Sequence, residues 1–183
     1  RRLGMSEGSL EAPIRRPIQW QEEAFTNPED LDVELRRVFD ICHGCRRCFN
    51  LCDAFPRLFD LIDSSETGEL DSVDSASFRH VADACTLCDM CFMTKCPYVP
   101  PHEFDLDFPH LMLRYRAMEF KRGNVSTSLI QLTETDRNGK LASFLAFFVN
   151  WFTSRRNKIT RLIMEILTGV DRNSELPKYH HRT

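Results

Sequence analysis

All eight cysteines of this 183-residue chain lie in two short runs: Cys42, Cys45, Cys48 and Cys52, then Cys85, Cys88, Cys91 and Cys96. Their spacings, C-x2-C-x2-C-x3-C and C-x2-C-x2-C-x4-C-P, are those of metal ligands. Three thiols at i, i+3 and i+6 let one short turn wrap three corners of an iron–sulfur cube, because each two-residue gap carries the backbone from one iron to the next. The fourth corner has to come from further away.

In two-cluster ferredoxins the last cysteine of each run ligates the other run's cluster. Carried over to this chain, one [4Fe-4S] cluster takes Cys42, Cys45, Cys48 and Cys96, and a second takes Cys85, Cys88, Cys91 and Cys52. Two other readings compete. Structural zinc also takes four cysteines, usually as two separated pairs, and a tight triplet is hard to fold around one tetrahedral ion. A disulfide framework suits a small secreted chain, but triplets at this spacing pair poorly among themselves and no signal peptide is visible. The spacing favours two [4Fe-4S] clusters over both.

With 42% hydrophobic residues, 14 Phe and a formal net charge of -3, the sequence reads as globular rather than disordered. It has no basic stripe with interleaved aromatics, which argues against a nucleic-acid partner. It has no apolar run of 18 residues, so a membrane span is not supported. The chain opens on Arg1-Arg2 without an initiator Met, which points to processing or to a fragment.

Residues 1–27 read as an extended arm carrying Pro13 and Pro17, with Trp20 and Phe25 as its anchors. Asn27 and Pro28 then form a helix start, with Glu29 and Asp30 on the positive end of the dipole. Leu31, Leu35, Val38 and Cys42 recur at helical spacing into the first cysteine run. There Gly44 is expected to let the backbone approach a cluster, Arg46 and Arg47 to neighbour a buried anion, and His43 to lie at the surface. Phe55, Leu58, Phe59 and Ile62 continue with helical period, 63–75 is a polar loop, and Asp74 or Ser75 caps a helix bearing Phe78, Val81 and Ala82 into the second run.

Period-2 alternation is absent, so the expected fold is all-α: a helical ferredoxin domain over 28–122 rather than the compact strand-rich ferredoxin. Phe49, Met90, Phe92 and Met93 either wall the clusters from water or are ordinary core, which is the commoner role for each alone. After Pro100 and Pro101 a helix starts at Pro109 and stops at Gly123, with Arg114 and Arg116 on a solvated face. Residues 123–140 read as a polar linker with a weak helical patch at 129–132. Residues 141–152 are apolar nearly all round, Arg155, Arg156 and Lys158 follow, and Ile159, Leu162, Ile163, Ile166, Leu167 and Val170 form an amphipathic face. This 141–170 segment is expected to dock on a partner subunit or in a membrane interface, and 171–183 to be a tail.

Cys-His-Gly-Cys-Arg-Arg-Cys-Phe-Asn-Leu-Cys-Asp-Ala-Phe-Pro at 42–56 and Asp-Ala-Cys-Thr-Leu-Cys-Asp-Met-Cys-Phe-Met-Thr-Lys-Cys-Pro-Tyr-Val-Pro-Pro-His at 83–102 resemble an iron–sulfur protein family. It contains the iron–sulfur subunits of anaerobic glycerol-3-phosphate dehydrogenase and of heterodisulfide reductase, and the likeness is strongest to the heterodisulfide-reductase-related branch found near rubrerythrin genes. The resemblance runs from about Asp40 to the 140–181 region. It implies a helical ferredoxin with two [4Fe-4S] clusters, passing electrons between a flavoprotein dehydrogenase and a quinone or other acceptor. It further implies peripheral association with a membrane-bound complex, on the cytoplasmic face of a bacterial inner membrane or the matrix side of a mitochondrial one. Two departures stand out. Fuller members continue into cysteine-rich CCG modules that nothing after Cys96 supplies, and Asp53 stands where the bacterial ferredoxin pattern has Pro.

No nucleophile–base pair, phosphate loop or paired-carboxylate site is present, so no catalytic residue is expected and the chain is not read as an enzyme by itself. The leading expectation is a redox relay whose chemistry belongs to the cofactor. The competing one is an assembly or anchoring subunit of a respiratory complex, with metal sites of iron–sulfur or zinc that take no part in turnover. Arg46 and Arg47 beside the first run, against Asp83 and Asp89 beside the second, further suggest that the first cluster is the easier to reduce.

Overall fold

Asn27 ends the N-terminal arm and starts the first helix. Its side-chain oxygen accepts from the backbone N–H groups of Glu29 (3.0 Å) and Asp30 (3.1 Å), and Pro28 fills the first helical position, where a missing N–H costs nothing. A computed structural model describes residues 8–181, with Lys95 by its backbone alone. The first seven residues of the expected arm and the last two of the expected tail lie outside the described residues. The chain is all-α, with no strand among the described residues, and it divides into one unit ending at Gly123 and a second beginning at Asn124.

The first unit is built on four helices: α1 (Pro28–Cys45), α2 (Ala54–Asp63), α3 (Phe78–Ala84) and α4 (Phe108–Lys121). On α1 the buried residues are Leu31, Leu35, Val38 and Phe39, one stripe at helical spacing. Ala54, Phe55, Leu58, Phe59 and Ile62 of α2 and Phe78, Val81 and Ala82 of α3 meet that stripe, and α4 closes it with Phe108, Leu111, Met112, Tyr115 and Met118. Phe39 sits at the centre. Its ring meets Phe78 edge-on at 5.1 Å and Phe108 at 6.1 Å, while Phe55 lies 4.7 Å from Phe108. Aromatic pairs in this range add stabilisation beyond the area they bury.

The polar stretch 63–75 is pinned more firmly than its composition suggests. Leu70 and Val73 are buried, and Arg36 reaches from α1 to the carbonyls of Leu70 and Val73 (3.0 Å each) and to the Ser75 hydroxyl (2.6 Å). Asp74 caps the turn that leads into α3 by accepting from the Ala76 N–H. At the far end, Asp107 caps α4 by accepting from the His110 N–H, and Gly123 takes the left-handed conformation, φ 77°, that ends it.

The arm is tied down differently from expectation. Trp20 is 66% exposed, whereas the Ser9 N–H donates to the Pro97 carbonyl (2.8 Å) and the Ile14 N–H to the Pro100 carbonyl (2.9 Å). Arg114, expected on a solvated face, donates to the carbonyls of Phe25 (2.7 Å) and Ala24 (2.6 Å) and fastens the last turn of the arm to α4.

The second unit holds α5 (Thr127–Thr133), α6 (Thr135–Phe144), α7 (Ala146–Phe152) and α8 (Lys158–Thr168). Most of the expected linker is therefore helical. Asn138 and Gly139 lie inside α6, where the Asn138 amide donates to the Gln131 carbonyl at 2.5 Å. The apolar run breaks at Leu145, between α6 and α7. The tail is fastened, not free: Asn150 and the Tyr179 backbone exchange two hydrogen bonds, at 2.8 and 2.9 Å. Among the described residues, no helix is long and apolar enough to cross a membrane.

Because Phe39 joins three helices, Phe39→Ala is expected to lower stability by about 3–5 kcal/mol. Urea denaturation followed by circular dichroism measures this, and a loss below about 1 kcal/mol would contradict the central place given to the ring.

Candidate metal centre

The two cysteine runs reach their positions by different local means. Cys42 and Cys45 occupy the last turns of α1, one helical step apart. The helix ends because Arg46 turns left-handed, φ 50°, with its N–H on the Cys42 carbonyl at 2.8 Å. Gly44 is not the residue that makes this bend: the space a Cβ would enter there is open, so the close approach expected of it is not seen. In the second run Leu87 and Asp89 take the left-handed region, φ 55° and 62°, and the chain then makes a wide turn over Cys91–Lys95. The Cys96 N–H donates to the Cys91 carbonyl at 2.9 Å. This i to i−5 bond absorbs the fourth residue of the C-x4-C interval.

Cys96 comes back to the first run. Together with Cys42, Cys45 and Cys48 it lines one small, apolar cavity walled by Phe55, Phe59, Tyr98 and Leu106. Cys52, Cys85, Cys88 and Cys91 form the neighbouring group. Burial pushes the Cys85 thiol up, and the proximity of Cys52 and Cys88 pushes it further; burial, with Cys48, Cys85 and Cys52 close by, pushes Cys91 up to about 12. The two groups are adjacent, since Cys91 also neighbours Cys42. No three His, Cys, Asp or Glu side chains among the described residues form a group that could hold a metal ion. A [4Fe-4S] cube spreads its thiolates over four irons, so the thiols that hold one surround a volume rather than a point.

Backbone amides face the sulfurs. Leu87 N–H donates to Cys85, Met90 N–H to Cys88, Phe92 N–H to Cys91, and Tyr98 and Val99 N–H to Cys96. The Met90 amide and the Thr86 hydroxyl draw the exposed Cys88 thiol below its ordinary value. All eight thiols are free of disulfides, and four of them line one apolar cavity.

The walls are not those expected. Phe92 is buried, but Phe49, Met90 and Met93 are exposed; the water-excluding side chains of the first group come instead from α2 and the 98–106 segment. The charges also differ. Arg46 turns away to Asp63, with Nη1 to Oδ2 at 2.9 Å, and His43, which is mostly buried rather than a surface residue, binds the same carboxylate at 2.9 Å. Arg47 does line the cavity and lowers the Cys96 thiol pKa against the upward push of burial. Beside the second run Asp89 is paired with Arg15 and Asp83 with Arg79. Arg116, expected to be solvated, donates to the carbonyls of Ala82 (2.7 Å) and Cys85 and places a positive charge beside that thiol. The charges behind the expected difference in potential are thus largely paired, and one arginine stands beside each group. Asp53 caps α2 without a side-chain bond to its amides and pairs with Arg57 at 2.6 Å.

Compared with protein-family models, curated proteins and solved structures, the chain matches none of them.

The Arg46 guanidinium, and then His43, hold the Asp63 carboxyl down to about 2. A depressed carboxyl contributes stability that is present above its unfolded value, near 4, and is lost as pH falls through the folded value. Side-chain carbon NMR should therefore show Asp63 titrating near pH 2, and rising toward the ordinary range in Arg46→Ala. An unshifted Asp63 in the wild-type protein would refute the pairing.

Proposed function

We propose that this chain is the electron-transfer subunit of a larger oxidoreductase, holding one [4Fe-4S] cluster on Cys42, Cys45, Cys48 and Cys96 and a second on Cys85, Cys88, Cys91 and Cys52. In this reading it works between a flavoprotein dehydrogenase and a quinone or other acceptor in a membrane-associated complex, as the likeness of its cysteine runs to the iron–sulfur subunits of anaerobic glycerol-3-phosphate dehydrogenase and heterodisulfide reductase implies. The observation that carries the proposal is the return of Cys96 to the cavity of the first three cysteines, which makes the two runs interdependent. Bound there, the clusters would supply one-electron carriers whose potentials follow charge, burial and N–H···S bonds. The chain's own part is positional. Phe55, Phe59 and Leu106 exclude water from the first group, the Tyr98 hydroxyl lies in hydrogen-bond reach of the Cys45 sulfur, and Arg47 and Arg116 set the local charge.

A second role, docking, is supported by the inverted burial of residues 124–181. Among the described residues of this unit, which end at 181, Phe144, Phe147, Phe148 and Trp151 are exposed along with Ile159 and Ile166, while Arg161 is buried. Exposed apolar surface of this extent marks an interaction face. Flotation with phospholipid vesicles, compared between the wild-type chain and a Phe147→Ser/Trp151→Ser variant, tests a membrane contact; equal flotation of the two would oppose it.

Anaerobically prepared protein is expected to carry about eight irons and as many acid-labile sulfides per chain, with a visible absorbance bleached by dithionite. Crossed ligation makes a further demand. Cys42→Ser/Cys96→Ser should lose no more iron than either single variant, whereas Cys42→Ser/Cys52→Ser should lose both clusters. A colourless protein with two zinc ions would sink the relay, and additive loss in the first pair would sink the crossing.

A further inference from the structure

Arg15, in the N-terminal arm, bonds two carboxylates far along the chain. Its Nη1 and Nη2 grip the two carboxylate oxygens of Asp89 at 2.7 and 2.8 Å, while Nε and Nη2 take those of Asp107 at 2.9 and 3.1 Å. The guanidinium carbon also lies 4.3 Å above the centre of the Phe92 ring. One planar group thus spans two carboxylates and an aromatic face, a combination that suits arginine and not lysine. Asp89 follows Cys88 and holds a left-handed backbone, φ 62°. Phe92 follows Cys91. Between these two handles run Met90 and Cys91, and the amides of Met90 and Phe92 are the ones that face the Cys88 and Cys91 sulfurs.

The arm itself is fitted to this place. The Ser9 N–H meets the carbonyl of Pro97, next to Cys96, and the arm passes so close that a Cβ on Gly8 would fall 2.3 Å from the Pro97 Cβ. None of the described arm residues belongs to the hydrophobic core cluster of the first unit.

We propose that Arg15 is the positioning residue of the second cysteine run: from the arm it clamps the Asp89 turn and the Phe92 ring, and so keeps two backbone amides against the Cys88 and Cys91 sulfurs. Its charge also balances the carboxylate nearest to Cys88. The effect on redox potential rests on the iron–sulfur reading above; the clamping of the loop does not.

Hydrogen exchange on the full chain, metal-free and iron-loaded, tests the clamp. Arg15→Ala should speed exchange at the Met90 and Phe92 amides and at Ser9 and Ile14 by about tenfold or more, with the core amides of α1 and α2 unchanged. Redox titration tests the charge. In Arg15→Ala the midpoint of one cluster should fall, because Asp89 is left uncompensated, while the other stays; Arg15→Ala/Asp89→Asn should bring it back. Arg15→Lys keeps the charge but cannot fork onto both carboxylates, so it should restore the midpoint and not the exchange protection. Unchanged exchange at Met90 and Phe92 in Arg15→Ala would overturn the proposal. Wild-type protein without iron would defeat the iron–sulfur reading and leave the exchange result to decide the clamp.

Discussion

The meeting of two cysteine runs about forty residues apart in sequence is the constraint that orders the first unit. Thiols do not bring themselves together; burial and crowding make Cys42, Cys85, Cys91 and Cys96 harder to ionise, so the juxtaposition has to be enforced by packing elsewhere. The enforcement is aromatic. Phe39 on α1, Phe55 on α2, Phe78 on α3 and Phe108 on α4 form one connected set of rings. The cysteine runs begin or end on these helices: Cys42 and Cys45 close α1, Cys52 precedes α2, and Cys85 follows α3. Fixing the rings therefore fixes the sulfurs.

Polar side chains handle what the rings cannot reach. Arg36, Arg114 and Arg116 all direct their guanidinium groups at backbone carbonyls, and each ties an irregular segment to a helix. A carbonyl in a loop or at a helix end lacks a regular partner, and a long forked donor can satisfy one from a distance. Arginine here is a structural fastener first. The same economy operates at Asp63, whose carboxylate occupies both Arg46 and His43 and removes them from the neighbourhood of the thiols.

The regular elements of the first unit are legible in the sequence because their signals are local. Asn27-Pro28 and Asp107 with Pro109 declare helix starts within a few residues, Gly123 declares a stop, and the stripe Leu31, Leu35, Val38 follows from period alone. The spacing of the thiols carries the candidate site for the same reason. What stays hidden depends on partners far along the chain. Arg15 meets residues 74 and 92 positions away, and Arg116 a carbonyl 31 positions away, with no periodicity to announce either. The walls escape a linear reading because proximity in sequence is not proximity in space: Phe49, beside Cys48, is exposed, whereas Leu106 lines the cavity.

The second unit obeys a different logic. Its buried side chains include Ala142, Ala146, Thr160 and Arg161, and Arg161 is satisfied by the carbonyls of Asp171, Arg172 and Ser174 at 3.0, 3.0 and 2.6 Å. A guanidinium enclosed in this way needs such bonds, because burying an unpaired charge costs several kcal/mol. Meanwhile the large apolar side chains point outward, Phe144 at 79% exposed. Ordinary folding would place these the other way round, since apolar area removed from water is worth roughly 25 cal/mol per Å². Residues 141–170 carry four basic side chains against one acid in a chain whose net charge is -3. That separates the two units: in the first the large apolar side chains close a core beside the cysteines, and in the second they face outward from a locally basic stretch.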